Sequence, residues 1–239
     1  MCSGSWDYSA ALWDVQLGVL LRVVNHHQSV VQCCQFSLCG SLLATGSWDY
    51  TIHVYDVLVP PSLRDTTATV NEIGEEKDSL LLPNHPKKLV GNRPIVVRKR
   101  SSKEMLLGQN NHSKETISVN NMRTLVFHSS NIKCIAFSCD NLLASASWDC
   151  TVCLWHAVTG VRLRALYGHE GFVQTCTFSP NGCYVASAAD DETVKVWCVK
   201  DGSLLKTLDA YAEEIHQLAF TEFGTLLSSG PEQLELCLY

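Results

Sequence analysis

No apolar run in the 239-residue chain approaches the roughly 18 residues that a membrane-spanning helix needs, so the sequence reads as that of a soluble protein. The first residues, MCSGSWD, lack the basic and then apolar pattern of a secretory leader. That places the protein in the cytoplasm or nucleus, with its twelve cysteines as thiols in a reducing compartment. A glycine-rich phosphate loop, an H-E-x-x-H pair, a G-x-S-x-G elbow and a paired-acid constellation are all missing, so no enzyme chemistry and no cofactor are indicated. The one C-x-x-C, Cys150 to Cys153, has no second pair at zinc-finger spacing, and no metal site is assigned. Helical periodicity is absent as well.

What the chain does contain is a phrase said five times. LLASASWDCTVCLW runs from Leu142 to Trp155, LLATGSWDYTIHVYD from Leu42, CSGSWDYSAALWD from Cys2, YVASAADDETVKVW from Tyr184, and a worn form, LLSSGPEQLELCLY, from Leu226. Trp13 to Tyr55, Trp155 to Trp197 and Trp197 to Tyr239 are each 42 residues apart, while Tyr55 to Trp155 are separated by 100. Within a period, apolar alternation such as FVQTCTF, then SPNG, YVASA, a D-x-T turn, VKVW and SLLKTL spells four short strands joined by turns. Most cysteines, Cys33, Cys34, Cys134, Cys176 and Cys237 among them, fall inside these alternating runs as small core residues.

A period of 40 to 45 residues with four strands and a W-D signature resembles the WD40 repeat family. The likeness covers about 180 of the 239 residues. It implies an all-β fold of WD40-type β-propeller blades, each of four antiparallel strands, about 4.5 blades in all, in an incomplete or open ring. It also implies a buried tetrad in which a histidine, nine residues before the aromatic that ends the first strand, joins a serine or threonine, the turn aspartate and a tryptophan. Carried over by position, these are His27, Thr45, Asp49 and Tyr55; His128, Ser145, Asp149 and Trp155; and His169, Ser187, Asp191 and Trp197. A Ser, His, Asp set is also the composition of a hydrolase triad, but its repetition in every intact unit favours a framework role.

The first unit starts inside its second strand, and the last replaces its histidine with Tyr211 and its aspartate with Gln233. A fragment of a longer propeller, a small ring of degenerate blades, and an open arc completed by another chain or a missing segment all remain open. The organisation reads as residues 1–57, a partial first blade and most of the second; 58–123, a largely disordered insertion; and 124–239, the end of the second blade, the third and fourth, and a degenerate fifth. The insertion holds 11 Lys and Arg against 7 Asp and Glu, net +4; the rest holds 7 against 17, net −10.

Two surfaces are candidates for function. Trp6, Trp48 and Trp148 each precede the turn aspartate, on the face that the resemblance makes the top of the ring; Asp190 takes that place in the fourth blade and Phe172 lies in a loop beside it. Aromatics in a row beside acidic groups suit a peptide with apolar and basic residues. The leading reading is therefore a non-catalytic protein-interaction scaffold with protein partners and no membrane. The alternatives are a ribonucleoprotein component and a truncated product with no independent activity. The RNA reading rests on Lys87, Lys88, Arg93, Arg98, Lys99, Arg100 and Lys103, which could meet phosphates. That segment has no aromatic residue to stack on bases. Ser101 and Ser102 follow the basic run in the pattern of a phosphorylation site that would cancel it.

Overall fold

A computed structural model describes residues 1–58, 117–209, 215, 217–229 and 234–237. The basic residues 87–103, the candidate phosphorylation sites and residues 211 and 233 lie outside the described residues. Among those described there are eighteen strands and no helix, hence none long and apolar enough to cross a membrane.

The strands form five antiparallel sheets in chain order. The first holds β1 (Cys2–Gly4), β2 (Ala10–Asp14) and β3 (Val19–Val24), and the second β4 (Val31–Phe36), β5 (Leu42–Ser47), β6 (Thr51–Leu58) and β7 (Ser118–Val126). The third holds β8 (Ile132–Phe137), β9 (Leu142–Ser147), β10 (Thr151–His156) and β11 (Val161–Tyr167). The fourth holds β12 (Val173–Phe178), β13 (Tyr184–Ala189), β14 (Thr193–Cys198) and β15 (Leu204–Asp209); the fifth holds β16 (Gln217–Phe220), β17 (Thr225–Ser229) and β18 (Leu234–Cys237). Each sheet packs on the next through its leading strands, β1 on β4, β4 on β8, β8 on β12 and β12 on β16. Among the described residues the five sheets do not close into a ring.

The strand sequences explain this layering. LLATGS in β5 is buried throughout, as is nearly all of LLASAS in β9 and YVASAA in β13. Small side chains on both faces let a strand lie between its own sheet-mates and the next sheet. Gly46 marks a close approach between sheets: a Cβ there would stand 2.7 Å from both Cys33 Sγ and Ile132 Cγ2. The fourth strands carry long or charged residues and face outward, as VRLRALY in β11 and LLKTLD in β15 show. Between neighbouring sheets the apolar faces interleave. Leu42, Ile52 and Val54 meet Ile132, Phe137 and Trp155, while Val152 and Leu154 meet Val173, Val185 and Trp197. Burying a side chain of this size is worth about 1.5 to 3 kcal/mol, so the contacts between sheets carry much of the stability.

The second sheet departs from the boundaries read at residues 58 and 123. β6 runs on through Leu58, and β7 starts at Ser118, so Ser118–Arg123 belong to the sheet and not to the insertion. A register shift between Val54 and Asp56 makes this possible, after which Val57 pairs with Val119 and Leu58 with Ser118. Arg123 closes the join, its guanidinium 2.8 Å from Asp56, which also accepts from Asn121 at 2.9 Å.

Candidate functional site

Every intact sheet turns between its second and third strands on the same four-residue device. In the third sheet, Asp149 Oδ1 accepts from the Thr151 amide at 3.0 Å and the Thr151 hydroxyl at 2.6 Å. Its other oxygen accepts from His128 Nδ1 at 2.7 Å and the Ser129 amide at 3.1 Å. The residue between aspartate and threonine sits in the left-handed region: Tyr50 at φ 71°, Cys150 at 66° and Glu192 at 60°. For a non-glycine residue that conformation costs on the order of 1 kcal/mol, and the carboxylate's hydrogen bonds offset it.

From the aspartate a chain of donors runs inward. His128 Nε2 lies 2.8 Å from Ser145 Oγ, which accepts from Trp155 Nε1 at 2.9 Å. With a neutral imidazole protonated on Nδ1, the indole donates to serine, serine to histidine and histidine to aspartate, and no polar atom is left over. The fourth sheet repeats the arrangement with His169 to Asp191 at 2.8 Å, His169 to Ser187 at 2.8 Å and Trp197 to Ser187 at 2.8 Å. Ser145 and Ser187 have no exposed surface, so neither hydroxyl can reach a substrate as a nucleophile.

The second sheet keeps the first half of the chain, His27 to Asp49 at 2.8 Å and to Thr45 at 2.8 Å. Its last member behaves differently, because the Tyr55 hydroxyl lies 3.2 Å from His26 Nδ1, and burial pushes the phenol up to about 12. Strand β6 adds His53, whose ring sits 4.1 Å from that of His27 and whose Nε2 lies 3.2 Å from the Thr51 hydroxyl. Sequence reasoning passed over His53 because its position in the third strand is occupied by Cys153 and Lys195 in the sheets that follow. Ligand atoms of His27, Asp49 and His53 lie within 4.8 Å of one another. Both nitrogens of His27 are already held by Asp49 and Thr45, so a metal there would have to break the framework.

Burial, together with the neighbouring His27, lowers His53 to about 4; burial likewise lowers His27 and His169 against the pull of their aspartates. A histidine depressed from its usual 6.5 stabilises the fold fully above that value, and its contribution is lost as pH falls toward the folded pKa. The chain is therefore expected to lose stability between about pH 6.5 and 4. His53→Gln should flatten that part of a pH series of thermal midpoints; an unchanged slope would contradict the assignment.

The residues that precede the turn aspartates stand outside this framework. Trp6 and Trp48 meet edge to face with centroids 5.5 Å apart, Trp48 and Trp148 lie 6.2 Å apart, and Trp148 stacks on Phe172 at 5.5 Å. The result is one aromatic row across four consecutive sheets, with Trp6 75% and Phe172 49% exposed. Backbone bonds hold its middle in place: the Trp48 amide donates to the Val30 carbonyl and the Trp148 amide to the Asn131 carbonyl. The indole nitrogens of Trp48 and Trp148 are buried without a partner. Asp190, at the row's end, is exposed and accepts from Gln174 at 2.7 Å. Lys133, which sequence reasoning did not single out, lies 5.8 Å from the Trp148 ring.

Three consecutive four-stranded sheets held by repeated buried tetrads, with a three-stranded sheet on either side, define a protein built from propeller blades. The family described as WD domain, G-beta repeat, matches at residues 18–56, 120–156 and 160–198. The chain thus carries three WD40 repeats. It is 38% identical over 110 residues to Protein HIR1 of Cryptococcus neoformans, covering 44% of this chain and 12% of that protein. It is 37% identical over 87 residues to eukaryotic translation initiation factor 3 subunit I of Neurospora crassa, covering 36% of this chain and 25% of the relative. Protein hir1 of Schizosaccharomyces pombe is 35% identical over 96 residues, 40% of this chain and 10% of its own length. The chain thus spans between a tenth and a quarter of the length of these relatives.

Proposed function

We propose that the chain is a non-catalytic interaction scaffold that holds a protein segment against the face bearing Trp6, Trp48, Trp148 and Phe172, within an intracellular assembly. The observation that carries this reading is the continuity of the aromatic row. Large, rigid rings side by side provide apolar contact at little entropic cost, and such residues dominate binding energy at interfaces. Beside the row the half-buried Lys133 is a cation, but the exposed charged residues of the loops that carry the row, Asp7, Glu170, Asp190 and Glu192, are acidic, which favours a partner segment carrying Lys or Arg beside its apolar anchors. A relative whose name makes it a subunit of an initiation factor fits the same role. The eleven cysteines whose side chains are described are all free thiols.

The experiment is to recover bound proteins with the wild-type chain and with the Trp48→Ala, Trp148→Ala double variant. Loss of the specific partner from a variant that still melts cooperatively supports the reading, and retention of it overturns the reading.

A further inference from the structure

Cys134 on β8 and Cys176 on β12 belong to different sheets whose leading strands pack on one another. Cys134 Sγ lies 3.6 Å from the Cys176 carbonyl oxygen and 3.8 Å from the Thr175 hydroxyl. Those two contacts bring Cys134 Sγ against the Thr175–Cys176 stretch of β12, with the thiol placed to donate to the carbonyl and the Thr175 hydroxyl to the sulfur. Both residues line a cavity of about 520 Å³ between the leading strands, together with Cys33, Lys133, Gln35 and Gln174. No carboxylate is among the described residues of that lining, and Lys133 brings a positive charge. Cys134 is half-buried and Cys176 buried, so of the two it is Cys134 that an oxidant entering the cavity meets first.

We propose that Cys134 and Cys176 form an oxidisable pair, Cys134 as the thiolate attacked by a hydroperoxide and Cys176 as the resolving thiol, whose disulfide staples the third sheet to the fourth. In the first step the Cys134 thiolate attacks the peroxide oxygen. The O–O bond breaks, an S–O bond forms, and the leaving alkoxide or hydroxide takes up a proton to give an alcohol or water. In the second step Cys176 sulfur displaces hydroxide from the Cys134 sulfenic acid, losing its own proton, so that an S–S bond and one water are formed. The two thiols are oxidised by two electrons and the peroxide is reduced by two. The exposure of the two residues assigns the roles, Cys134 being half-buried and Cys176 buried; the neighbouring Cys176 thiol also brings Cys134 down to about 7, while Cys134 and burial push Cys176 up. The pair also lies where a covalent link has mechanical effect, because no strand of the third sheet is paired with a strand of the fourth.

The test uses the full chain, reduced and then exposed to hydrogen peroxide, with remaining thiols blocked and peptides mapped without reduction. The expected product has lost two hydrogens, yields a joined Cys134–Cys176 peptide that dithiothreitol separates, and forms roughly fivefold more slowly at pH 6 than at pH 7. Exposed Cys39 serves as an internal gauge of oxidant strength. Cys134→Ser should abolish the link, and Cys176→Ser should leave a sulfenic acid on Cys134 that dimedone captures. Should Cys176→Ser fail to fold, the wild-type map decides alone. A Cys33–Cys134 link, over-oxidised Cys134 without any link, or oxidation of Cys39 with Cys134 left intact would each overturn the proposal.

Discussion

Asp149→Ala is expected to destabilise the chain by about 2 to 4 kcal/mol, the cost of stripping a buried, hydrogen-bonded charge from its partners. The carboxylate accepts from His128, from the Ser129 amide and twice from Thr151. Alanine would leave those donors unanswered while Cys150 is still held at positive φ. Burial alone would raise this carboxyl, but the bonds from His128 and Thr151 outweigh it and hold the group at about 2. The stabilisation is therefore present above the ordinary value near 3.8 and is lost as pH falls through 2. Asp7 provides the comparison within the same molecule. It has the same turn, bonded only to Ser5 and Ser9, and no histidine beside it. It is fully exposed, and Asp7→Ala should leave the urea midpoint unchanged. If the two variants melt alike, the tetrad does not hold the fold.

The second large effect concerns binding. Truncating Trp48 and Trp148 together should weaken the partner by at least about 2 kcal/mol, roughly thirtyfold, which is the threshold of an interface hot spot. These two rings are the centre of the row and touch both of its ends, so their loss separates Trp6 from Phe172. Replacing both with phenylalanine distinguishes ring from polar group. The indole N–H groups are buried and unpaired, a state that costs about 1 to 3 kcal/mol each, so Trp48→Phe, Trp148→Phe should fold at least as well as the wild type. It should also retain most of the binding, and a midpoint well below the wild type would show that the indole nitrogens do have a partner.

The repeat was legible because its signals are local. The D-x-T turn, the small residues of β5, β9 and β13, and the 42-residue spacing each follow from residues close in sequence, and together they led to the sheets and to the positions His128, Ser145, Asp149 and Trp155. What escaped depends on residues brought together from afar. SVNNMR ahead of Thr124 reads as polar and loop-like, yet it pairs with the end of β6 because a register shift turns that strand's tail toward it. His53 and Tyr55 look like ordinary strand residues until the fold sets them against His27 and His26. The Cys134–Cys176 contact arises from an offset between sheets: Cys134 stands three residues before Phe137, whereas Cys176 stands two before Phe178. No pattern within one repeat reveals that the two face each other.

We propose that the framework holds the tetrads shut and leaves the aromatic row free to bind. A photo-crosslinking residue at position 6, at the exposed end of the row, tests it against one at position 158, in the turn at the opposite end of the third sheet, where Val158 is also exposed. Attachment of the partner at position 6 and not at 158, abolished by Trp48→Ala, Trp148→Ala, is the predicted result. Attachment at 158, or at 6 irrespective of the two tryptophans, would contradict it.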